Sequence, residues 1–258
     1  MTIQATLLLG ALFALLAAGI YSYIGWRLGK RVVSSSDARQ AWQLFTLWWY
    51  GLAASTLING LLSLFGALGL DDLPLFLTAT YVNILVLCVA LLGLLYYLIF
   101  LFTGNRRALL SLSIFYAAYY ILLVYYVTAS LPSHVDVKRW SATVAYRLPL
   151  TGPLFLIVVA LLLLPQIIGG LAYFSLFFRV RGATQKYRVL LVSWSIIIWF
   201  GSPLLALAGR LTEQDWWQLA SRLIGLAAAL IILMAYLPPH WLKDRYGIIS
   251  LKDENPAR

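Results

Sequence analysis

One charged residue lies inside an otherwise apolar segment, and its type suggests a specific chemistry. Arg222 falls within the apolar run 216–237, six residues after Trp216. A charge at that depth in a membrane-spanning segment is costly and needs compensation. Gln218 lies four residues earlier and therefore shares a helical face with Arg222. A guanidinium stays protonated and donates hydrogen bonds, so the chemistry it offers is the binding of anions or acceptor groups.

The residue types that commonly carry catalysis are scarce and dispersed. Cys88 is the only cysteine, so neither a disulfide framework nor a cysteine metal site is expected. His134 stands two residues before Asp136, but such a pair alone is typical of a solvated loop, and His240 lies at a membrane edge. Catalysis needs such groups gathered in one site. The sequence therefore predicts a non-enzymatic protein with no catalytic residue and no metal.

The composition indicates which elements position Arg222. The chain has 258 residues, of which 62% are hydrophobic and 11% charged, whereas a soluble domain is about half apolar and a quarter charged. At about 20 apolar residues per span, the chain has room for about seven or eight spanning helices. Water-soluble enzymes and binding modules are excluded. Apolar runs such as 161–164 also contradict the alternation of a barrel strand, so the spans are predicted to be helices.

Gaps between charged residues locate the spans, because a bilayer core penalises Asp, Lys and Arg most strongly. The predicted spans are residues 3–26, 41–69, 74–103, 108–130, 149–178, 189–209 and 216–237. They form one transmembrane domain over 1–237, followed by a short tail over 238–258. No connection is long enough for a soluble domain, so a signal would have to leave through a separate cytoplasmic partner.

Lysine and arginine orient the predicted bundle. Fourteen of the 19 basic residues lie after spans one, three and five or in the tail. They are Arg27, Lys30, Arg31, Arg39, Arg106, Arg107, Arg179, Arg181, Lys186, Arg188, Lys243, Arg245, Lys252 and Arg258. The positive-inside rule then places the N-terminus outside and the C-terminus in the cytoplasm. Because topology accounts for the net charge of +10, we expect membrane lipids and no nucleic acid as partners.

Small residues recur at every fourth position in three of the spans. Span two carries Gly51, Ser55, Asn59, Ser63 and Ala67 on one face. Small residues let helix backbones approach closely in a membrane. The pattern indicates packing within one bundle or at a subunit interface, and the sequence leaves both open.

Two segments, in spans three and six, carry a resemblance to a known family. Residues 79–85 read Ala-Thr-Tyr-Val-Asn-Ile-Leu, which is similar to the A-R-Y-x-D-W-L segment of the microbial rhodopsins, with Thr80 replacing the arginine and Asn83 the counterion aspartate. Residues 199–203 read Trp-Phe-Gly-Ser-Pro, similar to W-x-x-Y-P, with Ser202 replacing the pocket tyrosine. A glycine follows six residues later, as in the family.

A third segment, in span seven, carries the same resemblance and shows where the family's chemistry is missing. Gln218 and Arg222 match the spacing of D-x-x-x-K, whose lysine forms the retinal Schiff base. An arginine cannot replace that lysine, because its guanidinium is not a useful amine nucleophile. The resemblance therefore implies an all-α, seven-helix, microbial-rhodopsin-like bundle with no covalent retinal and no light-driven pumping.

The resemblance extends to the retinal-free bacterial relatives of the caldopentamerin type, which are pentamers. It implies a homo-oligomer, with a pentamer favoured over a trimer, in the bacterial plasma (inner) membrane. One cysteine, two methionines and 14 arginines against 5 lysines are compatible with a thermophilic source.

If the resemblance holds, Asn83 and Ser202 approach Arg222 across the bundle, and two interpretations follow. In the first, Arg222 only reaches outward to a lipid phosphate or to an outer acid: Asp71, Asp72, Glu213 or Asp215. In the second, it binds an anionic ligand or lipid headgroup in an outward-opening polar cavity. The predicted cavity residues are Asn59, Asn83, Ser202, Gln218, Ser221 and Arg222.

The sequence favours a non-enzymatic membrane protein with a sensory or scaffold role and a capacity to bind lipid or a small ligand. The alternative is a transporter or channel, conducting through the bundle or along an oligomer axis. Apart from Arg222 the spans contain no charge, and no paired carboxylates indicate a proton relay.

Overall fold

The computed structural model describes residues 2–31, 35–147, 153–212 and 214–249, and seven long helices dominate it. They are α1 (Ile3–Gly29), α2 (Ser36–Ala67), α3 (Leu73–Thr103), α4 (Ala108–Ala129), α5 (Pro153–Ser175), α6 (Ala183–Thr212) and α7 (Asp215–Tyr236). All seven are long and apolar enough to cross a membrane. The prediction of an all-α, multi-pass membrane bundle with seven spans is confirmed at this level.

Several helices begin outside the predicted spans, because charged and polar residues continue the helix beyond its apolar part. α2 begins at Ser36 rather than at 41, and the Ser35 side chain caps it by accepting a hydrogen bond from the Ala38 N–H at 3.2 Å. Asp37 in its first turn forms an ion pair with Arg106. α6 likewise begins at Ala183 rather than at 189. The predicted start of span five, at 149, lies outside the described residues.

The predicted tail begins with a short helix. Pro238 and Pro239 separate α7 from α8 (His240–Tyr246), because proline lacks the N–H that would continue a helix. Gly247 caps the C-terminus of α8, and its φ of 61° is unstrained only for glycine. The tail beyond 249 lies outside the described residues.

A β-hairpin, which the sequence analysis did not predict, occupies the connection after α4. Its strands are β1 (Pro132–Val137) and β2 (Ala142–Tyr146), paired antiparallel. Ala142 and Val144 are buried against Phe76 of α3. The connection is therefore a hairpin with a buried face rather than a loop, because alternate residues of β2 are buried, although His134, which was expected to be solvated, is exposed.

The hairpin distinguishes the two ends of the bundle. We call one end of the bundle the hairpin end. There α1 and α3 begin, at Ile3 and Leu73, and α2 and α4 finish, at Ala67 and Ala129, beside the hairpin. The opposite end, where α1 and α3 finish and α2, α4 and α6 begin, we call the basic end.

Aromatic side chains fill the half of the bundle near the basic end. Phe45, Trp48 and Trp49 of α2 are fully buried. The Phe45 ring stacks on Tyr97 with centroids 4.4 Å apart and on Tyr173 with centroids 6.0 Å apart. We call these five side chains the aromatic block.

The small-residue ridge of α2 packs inside the bundle. A Cβ added at Gly51 would overlap the Cβ of Ala90 on α3. A Cβ at Gly93 of α3 would overlap the carbonyl oxygen of Leu44 on α2. At Gly51 the ridge therefore serves close packing within one subunit, which is the first of the two interpretations.

Candidate functional site

A cavity of about 310 Å³ lies in the half of the bundle near the hairpin end. Its walls come from α1, α2, α3, α6, α7 and the hairpin. The predicted polar residues all line it: Asn59, Asn83, Ser202, Gln218, Ser221 and Arg222. We call it the Arg222 cavity. The structure thus brings together side chains from four helices that lie far apart in the sequence.

The sequence of α7 places its polar residues toward the cavity. Gln218, Ser221, Arg222 and Gly225 stand at positions i, i+3, i+4 and i+7, so they share one helical face. At 1.5 Å per residue, Arg222 lies about 10 Å from the first residue of α7. The buried Tyr21 hydroxyl donates to the Gly225 carbonyl at 3.4 Å and ties this face to α1.

Arg222 reaches across the cavity to α2. Its Nη2 donates a hydrogen bond to Ser63 Oγ at 2.9 Å. Ser63 Oγ in turn donates to the Asn59 carbonyl, also at 2.9 Å. Because a guanidinium has five N–H donors, this one bond to a described residue leaves capacity for a further acceptor.

The outer acids do not neutralise Arg222 in the described part of the chain. None of Asp71, Asp72 and Asp215 forms an ion pair with it, and Glu213 lies outside the described residues. In the structure, Arg222 therefore does not pair with any of those three aspartates. The guanidinium is left partly buried beside uncharged side chains.

One residue of the lining, Asn83, also has a buried acceptor without a partner. Asn83 Oδ1 is buried, and no hydrogen bond reaches it. A buried polar atom left unpaired costs about 1–3 kcal/mol. The other predicted polar groups are better satisfied, since Ser202 and Ser221 join at 3.1 Å and Gln218 Oε1 accepts from Ser141 Oγ at 2.7 Å.

The indole ring of Trp199 separates the cavity from the aromatic block. Trp199 of α6 lines the cavity and packs edge-on against Trp48, with ring centroids 5.9 Å apart. Pro203, one turn later, has no N–H with which to bond the Trp199 carbonyl. The end of the cavity next to the aromatic block is therefore aromatic. One backbone acceptor there, the Trp199 carbonyl, lacks its usual helical donor.

Two groups of side chains that bond to Arg222 or line the cavity were not predicted from the sequence. Ser63 belongs to the ridge of small residues on α2 that the sequence identified as packing, so its four-residue spacing from Asn59 could have found it. Ser141 and Thr143 line the cavity from the hairpin. Their contribution could not be predicted, because it depends on the fold of the hairpin over the bundle.

The remaining candidates for chemistry form no site. His134 Nδ1 bonds to Ser133 Oγ at 3.0 Å, and Asp136 pairs with Lys138 at 3.4 Å. Cys88 is buried as a free thiol. Among the described residues, no group of three or more His, Cys, Asp or Glu side chains is arranged to hold a metal ion.

Electrostatics decide what the Arg222 cavity can do. Arg222 is the only charged residue in its lining over the described part of the chain. A charge removed from water is costly unless it is paired, and charge-assisted bonds to carboxylate or phosphate are the strongest that arginine makes. The arrangement suits an anionic group.

Comparison of the chain with protein-family models, with curated proteins and with solved structures found no significant match. The resemblance to the microbial rhodopsins therefore depends on the three sequence segments, and the functional argument depends on the geometry of the cavity.

Proposed function

We propose that this protein is a non-enzymatic, retinal-free, microbial-rhodopsin-like protein of the bacterial plasma membrane that binds an anionic group in the Arg222 cavity and acts as a sensor or scaffold. One observation carries the proposal: the Arg222 guanidinium lines a cavity of about 310 Å³ and pairs with no described carboxylate. An anion there would compensate the buried charge.

The interior favours binding over conduction through the bundle. A pore needs a polar or hydrated route across the membrane. Here the aromatic block occupies the half of the described bundle near the basic end, and its Trp48 packs against Trp199 in the wall of the cavity. A ligand that enters the cavity therefore meets a packed core.

Charge supports the proposed orientation. Arg27 lies in the last turn of α1, Lys30 and Arg31 follow it, and Arg106 and Arg107 follow the end of α3, all at the basic end. By the positive-inside rule this end faces the cytoplasm and the N-terminus lies outside. The Arg222 cavity then takes its ligand from the outer side, and a signal would pass to a separate cytoplasmic partner.

The proposed assembly is a homo-oligomer, with a pentamer favoured over a trimer, and a thermophilic source fits the composition. The assembly follows from the resemblance alone, since the α2 ridge packs inside the subunit at Gly51. The mass of the particle in native-lipid nanodiscs separates a pentamer from a trimer. No covalent retinal is expected, because Arg222 occupies the position of the Schiff-base lysine.

Anion binding can be tested through thermal unfolding in dodecyl maltoside. Sodium benzoate and sodium phosphate are each titrated at constant ionic strength into the wild type, Arg222→Gln and Arg147→Gln. Arg147 is an exposed arginine near the hairpin, outside the cavity lining, so its variant is the matched control. We expect at least one anion to raise the Tm of the wild type and of Arg147→Gln but not of Arg222→Gln, because a ligand at 100 times its Kd stabilises the folded state by about 2.7 kcal/mol.

An equal rise in Tm for all three proteins would indicate non-specific ionic effects and would contradict the proposal, as would no rise in any of them. Repeating the titration in phosphatidylglycerol and phosphatidylcholine nanodiscs separates the two sources of an anionic group. A response seen only in phosphatidylcholine indicates that the phosphatidylglycerol headgroup already occupies the site.

A further inference from the structure

We infer that the C-terminal end of α1 carries a binding site for an anionic phospholipid, in the membrane leaflet next to the basic end. Three cations form the site: Arg27, Lys30 and Arg31, which we call the α1 cation cluster. The Arg222 cavity lies in the other half of the bundle, so this lipid site is independent of the anion binding proposed above. The missing counter-charge, the aromatic rings beside the cations and the apolar face of α1 each point to a phospholipid.

The α1 cation cluster carries positive charge that no described carboxylate balances. Lys30 and Arg31 are exposed and Arg27 is half-buried, so the cluster is open to a ligand at the surface. In the described part of the chain, no ion pair joins any of the three to an Asp or Glu. Asp37, the acid in the first turn of α2, pairs with Arg106 instead. A phosphate of the bilayer surface is therefore the available counter-charge.

Two of the cations share one aromatic ring. Lys30 Nζ lies 3.8 Å from the centroid of the Trp26 ring, and Arg27 Cζ lies 5.2 Å from the same centroid. Arg27 Nε also donates to the Tyr23 hydroxyl at 2.9 Å. A cation held against a ring face keeps N–H groups for an acceptor, because an ammonium has three donors and a guanidinium five.

The third cation connects the cluster to α2. The Arg31 guanidinium carbon lies 5.4 Å from the centroid of the Trp42 ring. Trp42 Nε1 in turn donates to the Leu28 carbonyl of α1 at 2.8 Å. Side chains that are already ordered lose less conformational entropy when a ligand binds. These contacts therefore distinguish the cluster from basic side chains that are only spread over the surface.

The exposed face of α1 suits an acyl chain. Leu12, Leu16, Gly19, Trp26 and Lys30 are all exposed, and their spacing of three, four or seven residues places them on one helical face. A Cβ at Gly19 would meet no atom within 4 Å, so the glycine leaves a notch in this face. Residues 16–26 span about 15 Å, which is half the hydrocarbon thickness of a bilayer. A lipid with its phosphate at Lys30 can therefore lay an acyl chain along α1 within one leaflet.

Native mass spectrometry of the protein released from detergent micelles measures the affinity for the first bound lipid. Dioleoyl phosphatidylglycerol and dioleoyl phosphatidylcholine are titrated separately. Both contain a phosphodiester, but only phosphatidylglycerol has a net negative charge. We expect the wild type to bind phosphatidylglycerol at least about tenfold more tightly, since each basic residue near an anionic surface contributes about a factor of five.

Variants locate the bound lipid. The double variant Arg27→Gln with Lys30→Gln should bind phosphatidylglycerol at least about tenfold more weakly. The matched control, Arg107→Gln with Arg181→Gln, removes the same charge from two exposed residues at the basic end and should leave the affinity nearly unchanged. Trp26→Leu keeps every charge and should still weaken binding about threefold, because the indole positions two of the cations.

The Tm of each variant checks that it folds. If the double variant of α1 fails to fold, Lys30→Gln alone changes only an exposed side chain and should weaken phosphatidylglycerol binding about fivefold. Equal losses in the double variant and its matched control would indicate a diffuse attraction between charges and would overturn the inference. Equal affinities of the wild type for the two lipids would overturn it as well.

Arg222→Gln separates this lipid site from the Arg222 cavity, and it should bind phosphatidylglycerol as tightly as the wild type. If Arg222→Gln loses the lipid and the double variant of α1 keeps it, the lipid lies in the cavity, which overturns the inference and leaves the proposed function standing. If only the double variant of α1 loses the lipid, while benzoate and phosphate leave the Tm of the wild type unchanged, the inference stands and the proposed function fails.

Discussion

Replacing Gly93 with alanine should destabilise the folded bundle by about 2 kcal/mol or more, because overpacking a close helix contact typically costs 1–3 kcal/mol. The added Cβ would overlap the carbonyl oxygen of Leu44, with the Trp48 backbone nitrogen also nearby. These are backbone atoms that cannot rotate away, so α2 and α3 would have to separate. The free energy of unfolding, measured in mixed micelles with increasing sodium dodecyl sulfate, reports the change.

Gly19→Ala is the matched control for this prediction. Gly19 also lies within a helix, but a Cβ there meets no atom within 4 Å. Alanine is a better helix former than glycine by about 0.5–1 kcal/mol, so this variant should be neutral or slightly stabilised. Equal stability of Gly93→Ala and the wild type would mean that α2 and α3 are further apart than the structure places them.

Replacing Arg222 with leucine should make the anion-free protein more stable, by about 1–3 kcal/mol. Arginine is penalised and leucine favoured in the interior of a spanning helix, and removing an uncompensated buried charge is often stabilising. The lost hydrogen bond to Ser63 offsets part of this gain. Unfolding in the same mixed micelles, without added benzoate or phosphate, measures the difference.

Saturating benzoate or phosphate should reverse the order of stability, because only the wild type retains the cation that binds it. Marked destabilisation of Arg222→Leu without an anion would indicate that the bond to Ser63 holds α7 to α2. The main role of Arg222 would then be structural rather than the binding of a ligand.

The seven helices could be predicted from the sequence because the cost of a charge in a bilayer acts residue by residue. The same criterion missed the helical ends, since Ser36, Asp37 and Ala183 are helical outside the apolar runs. The hairpin could not be predicted from that criterion either, because its short strands are stabilised by packing on Phe76 rather than by hydrophobicity along the chain.

The predicted polar cavity depended on two kinds of information. The face shared by Gln218, Ser221 and Arg222 follows from helical periodicity. The approach of Asn83 and Ser202 followed only from the resemblance to the rhodopsin segments, and the structure places both in the lining. The contacts of Ser63 and Ser141 depend on helix rotation and on the hairpin, which no local pattern encodes.

The most direct test of the central claim is a cryo-electron-microscopy structure of the protein extracted with its native lipids, inspected at the Arg222 guanidinium. We predict a compact non-protein density in the Arg222 cavity, in contact with the Arg222 guanidinium. A guanidinium turned out of the cavity, toward Asp71, Asp72, Asp215 or the phosphates of the bilayer, above a cavity containing only water, would contradict it.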